Sequence, residues 1–101
     1  MGRAMSDALV PRSIHTPAEL SAVLRDIRQA VGDGVLEEVE AERSSVVAKL
    51  SLVDVPENGP WPDYIELWFR DRKTNTRYRL RVETYHGTGG DWMVAGTDDA
   101  Q

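Results

Sequence analysis

Apolar positions follow a helical period early in the chain and a two-residue period later, and that change divides the molecule. Leu20, Val23, Leu24, Ile27, Ala30 and Val31 recur at i, i+3, i+4, i+7, one stripe along a helix, with Arg25, Asp26, Arg28 and Gln29 opposite. Thr16, Pro17 and Glu19 form a start signal: an N-cap, a first-position proline and an acid reaching back from N3. Gly32-Asp33-Gly34 supplies the left-handed stop, so the pattern predicts a helix over 17–31. Residues 63–70 and 76–86 then alternate, with Ile65, Leu67, Phe69, Tyr78, Leu80 and Val82 on one side. A four-residue turn at 72–75, closed by a left-handed Asn75, would pair Phe69 with Tyr78, Leu67 with Leu80 and Ile65 with Val82.

The remaining segments carry weaker patterns. Residues 35–42 fit a strand with Val35, Val39 and Ala41 on one face, or a helical turn, given their Glu and Ala content. Residues 45–53 read as a further strand, and the three prolines of 56–62 as a loop. A second hairpin is expected to turn at Gly87–Gly90 and pair Tyr85 with Trp92. Residues 1–14 read as a flexible lead, in which Leu9-Val10-Pro11-Arg12 resembles a thrombin-type cleavage site of vector origin, and residues 97–101 as an acidic tail. The expected fold is α+β: one domain over 15–96, with an N-terminal helix packed on a four- or five-stranded antiparallel meander. The Thr16–Leu20 helix opening and the small acidic α+β build resemble bacterial immunity-type and other accessory proteins of mobile genetic elements, over about one helix.

The predicted register also fills the sheet face away from the helix. It places Trp68 across from Arg79, Glu66 across from Arg81, Tyr64 across from Glu83, and Tyr85 across from Trp92. Tyr, Trp and Arg are the residues enriched where proteins meet. Tyr64, Glu66, Trp68, Arg79, Arg81, Tyr85 and Trp92 are therefore the candidate binding residues, for a homodimer or another protein partner. An alternative makes the same face a pocket closed by the Trp61 loop, with Arg79 and Arg81 gripping a small acidic ligand.

Charge changes the picture locally. Residues 70–81 hold six of the 12 basic residues and residues 33–42 hold five acids, so the two segments either compensate within one sheet or steer a partner. A net charge of −5 opposes nucleic-acid binding. The absence of cysteine fits a reducing, cytoplasmic setting, and no apolar run reaches membrane-spanning length. Two histidines without cysteine make a metal site unexpected, and no cofactor motif is present. The His86–Asp91 string joins two strands rather than leading into a helix, so its glycines read as turn chemistry. An enzyme using His86 and Asp91 as an acid–base pair is the remaining alternative.

Overall fold

The computed structural model describes residues 9–39, 51–85 and 87–97. In chain order the elements are strand β1 (Arg12–Ile14), helix α1 (Pro17–Gly32), strand β2 (Leu36–Val39), a 3-10 turn (Leu52–Asp54), and strands β3 (Tyr64–Asp71), β4 (Thr76–Glu83) and β5 (Gly89–Thr97). The strands form one antiparallel sheet in the order β1-β5-β4-β3-β2. The fold is α+β, with the helix on one face of a five-stranded sheet.

The helix forms as its ends dictate. Thr16 is extended and its hydroxyl accepts the Glu19 N–H at 3.1 Å. The Glu19 carboxylate reaches one residue beyond Thr16, to the His15 N–H at 2.6 Å. At the other end Gly34 takes a φ of 80°, and the Val35 N–H returns to the Ala30 carbonyl at 2.9 Å. That bond satisfies an orphan carbonyl and aims the chain into β2. Leu20, Val23, Leu24, Ile27 and Ala30 are buried against Ile65, Leu67, Phe69, Tyr78, Leu80, Val82 and Trp92 of the sheet.

The β3–β4 hairpin adopts the register expected from its alternation, with Ile65, Leu67 and Phe69 opposite Val82, Leu80 and Tyr78. Its turn is held by buried Asp71, whose Oδ1 accepts the Lys73 N–H at 2.8 Å and the Thr74 N–H at 3.4 Å. Asn75 takes the left-handed φ of 63°.

Several expectations need correction. Residues 12–14 are not part of a flexible lead: they form β1, bury Ile14 fully and pair with β5. Within 35–42, residues 36–39 are a strand, but Leu36 enters the core while Val39 pairs with Trp68. Of the strand expected at 45–53, residues 45–50 lie outside the described residues, and Leu52–Asp54 are a 3-10 turn. Thr97 belongs to β5 opposite Thr76; residues 98–101 lie outside the description.

The largest correction concerns β5. Trp92 pairs with Leu80, not with Tyr85, a displacement of five positions. An odd displacement turns every side chain of the strand to the other face. Gly89 and Gly90 cause it by joining the strand instead of the turn. At Gly90 a Cβ would lie 2.6 Å from the Val82 Cα and closer still to the Arg81 carbonyl oxygen. Only glycine permits β5 to pair there.

The Pro56–Pro62 loop is tied to the helix side. Ser21 donates to the Glu57 carbonyl at 2.8 Å, and Arg28 donates to the carbonyls of Leu52 and Val55. Trp61 packs against the core and donates to the Pro56 carbonyl at 2.7 Å. The loop therefore does not close over the opposite sheet face, and a pocket with Trp61 as its lid is not formed.

Candidate functional site

With α1 and the loop on one side, no described residue outside the sheet covers the other face. The two-residue period delivers its side chains in levels across the strands. Glu83 and Tyr64 form the first level; Asp91, Arg81 and Glu66 the second; Met93, Arg79, Trp68 and Val39 the third; Arg77, Arg70 and Glu37 the fourth.

The third level is an apolar belt of Met93, Trp68 and Val39, interrupted on β4 by Arg79. Met93 is 39% exposed at one end, while Trp68 and Val39 are half-buried by their neighbours. The Arg77 guanidinium lies 5.7 Å from the Trp68 ring centroid, within cation–π range. Beside the belt, Glu66 is fixed from both sides along its own strand. Tyr64 Oη donates to Oε1 at 3.1 Å, and Trp68 Nε1 donates to Oε2 at 2.9 Å. Both aromatic rings are thus oriented by one carboxylate, as residues two apart on a strand can be.

Ion pairs link neighbouring strands. Arg70 pairs with Glu37 of β2, Arg72 lies 3.9 Å from the same carboxylate, and Arg79 lies 3.6 Å from Asp91 of β5. Arg81 is exposed and stands between Glu66 and Asp91 in the register. The basic β4 is thus flanked by acids, and the face carries four arginines and four carboxylates at its described levels.

No protein family, curated protein or solved structure matched this chain.

Of the residues expected on this face, Tyr64, Glu66, Trp68, Arg79 and Arg81 are brought together there. Trp92 is not: it is fully buried under the helix, stacked on Tyr78 at 5.2 Å and edge-on to Phe69 at 5.7 Å. Tyr85 lies beyond the end of β4 and is 67% exposed. Asp91 reaches the face, where it meets Arg79, while His86 lies outside the described residues. Met93 and Val39 were not anticipated, since each depends on a register that its own strand does not reveal. Arg70, Arg77 and Glu37 could have been found from the same alternation that located Trp68 and Arg79. Among the described residues no group of three or more His, Asp or Glu side chains converges as a metal site, and no helix is long and apolar enough to cross a membrane.

Burial, then the bond to Glu66 and its charge, raise the Tyr64 phenol above its ordinary value. Burial, then the charge of Asp71, do the same for Tyr78. A raised folded-state value favours the neutral phenol, so this contribution to stability is complete below about pH 10 and is lost as pH climbs through the raised values. We expect denaturation midpoints to fall above about pH 10. Tyr64→Phe should reduce that alkaline loss, and phenolate absorbance should develop late in the folded protein. An alkaline stability profile unchanged by Tyr64→Phe would remove Tyr64 as a source of the effect.

Proposed function

We propose that this protein is a non-enzymatic interaction module that associates with a second copy of itself through the open face of its sheet. The observation that carries the reading is a contrast of charge. The whole chain has a net charge of −5, whereas the open face balances four arginines against four carboxylates around an apolar belt. Two copies repel each other least where these faces meet, and burying the belt supplies the attraction. Tyr64 and Trp68, already oriented by Glu66, lose little further freedom on contact. An acid–base role for Asp91 has less support, because its carboxylate is engaged with Arg79.

Light scattering on the full chain from micromolar to millimolar concentration tests the reading. We expect the mass to rise from 11.3 kDa toward twice that value. Trp68→Glu should return it to a single chain while leaving the helix signal in circular dichroism intact. A mass that stays at one chain throughout overturns self-association, and the partner would then have to be a different protein or a small acidic ligand.

A further inference from the structure

The open face is balanced as a whole but graded along its strands. At the end where β3 begins and β4 finishes, Glu66, Glu83 and Asp91 stand against Arg81. At the β3–β4 turn, Arg70, Arg72, Lys73 and Arg77 stand against Glu37. Asp71 is turned to the helix side, where it caps the turn. Eight-residue strands put the ends roughly 25 Å apart. That exceeds a screening length of about 8 Å, so an approaching surface meets two separate patches of opposite sign.

From this gradient we infer that the second copy sits with its strands reversed, acidic end over basic end, and that Glu66 and Arg70 select this seating. The inference rests on the self-association proposed above. A two-fold axis parallel to the strands would lay acidic end on acidic end. An axis across the strands, along the Val39–Trp68–Met93 belt, lays each end on its opposite and stacks belt on belt. Glu66 and Arg70 are each two residues from Trp68 along β3, on opposite sides. The rotation therefore brings Glu66 of one copy over Arg70 of the other, and symmetry repeats the contact. The two sheets stay within the roughly 30° of alignment that face-packed sheets adopt. Arg79 then meets Arg79 of the second copy on the axis and Arg81 approaches Arg77. These like-charge approaches are moderated by Asp91 beside Arg79, by the acids flanking Arg81 and by the Trp68 ring beneath Arg77.

Complementary reversal tests the seating. Glu66→Lys and Arg70→Glu should each weaken the homodimer about tenfold or more, measured by sedimentation equilibrium. An equimolar mixture should recover dimerisation to within about threefold of the original chain, because the mixed dimer restores opposite charges at both contacts. Thermal melts monitor folding, since both side chains also bond within the chain. Glu83→Lys with Arg72→Glu repeats the experiment while leaving the Glu66 hydrogen bonds and the Arg70–Glu37 pair in place. An original chain that dimerises, with variants that do not recover on mixing, overturns the reversed seating and leaves self-association standing. An original chain that stays at single-chain mass overturns both.

Discussion

Trp92→Ala is expected to lower the unfolding free energy by about 3–5 kcal/mol, the range for truncating a buried aromatic. Trp92 is the largest of the fully buried side chains and lies between the stacked ring of Tyr78 and the edge-on ring of Phe69. Its removal leaves a cavity beneath the helix and forfeits both ring contacts. A small domain is stable by only about 5–15 kcal/mol, so the variant should melt far earlier or fail to fold. Trp68→Ala is the control. Trp68 is half-buried on the open face, held by Glu66 and overlaid by Arg77, and its loss should cost about 1 kcal/mol. Urea denaturation followed by circular dichroism compares the two. Equal losses would contradict the opposite placement of the two tryptophans, and with it the composition of the candidate face.

Gly90→Ala should be comparably severe for a different reason. The added methyl group meets the backbone of β4, and backbone cannot swing aside as a side-chain tip can. Gly90 is also paired on its other flank with Ile14 of β1, so relief requires breaking one ladder or the other. A loss of about 3 kcal/mol, the upper end for overpacking, is expected. Gly89→Ala meets nothing within 4 Å and should change stability by less than about 0.5 kcal/mol. A silent Gly90→Ala would mean that β4 and β5 are not this close at that point.

The contrast between these two glycines explains what could be read from the chain and what could not. The helix was legible because its stripe, cap and stop agree at every level, from Thr16 to Gly34. The β3–β4 hairpin was legible because both strands alternate cleanly and a four-residue turn closed by Asn75 sets the register. Among the registers two apart that keep the apolar faces matched, that turn selects the one in which Ile65, Leu67 and Phe69 meet Val82, Leu80 and Tyr78. β5 offers no such alternation: Asp91, Trp92, Met93, Val94, Ala95 and Gly96 alternate in no consistent sense, and a bulge interrupts the ladder near Tyr78. Its two glycines carry the same letters as a turn, and only the close approach of β4 makes one of them a strand requirement. β1 was invisible because three residues are too few to show a period. On the open face, the β3 and β4 residues followed directly from the hairpin register. Trp92 was misplaced, and Met93 and Val39 were missed, because their positions depend on the less legible β5 and β2.

The strand order carries a consequence for how the molecule is made. β1 and β5 come from opposite ends of the described chain, yet they are hydrogen-bonded neighbours. The β3–β4 and β4–β5 pairings are local and close short loops, whereas joining β1 to β5 closes nearly the whole chain. On a ribosome, β1 must therefore wait for β5. Until Gly90–Trp92 emerge, Ile14 has no strand to pair with, so completion of β5 is itself the gate to the five-stranded sheet.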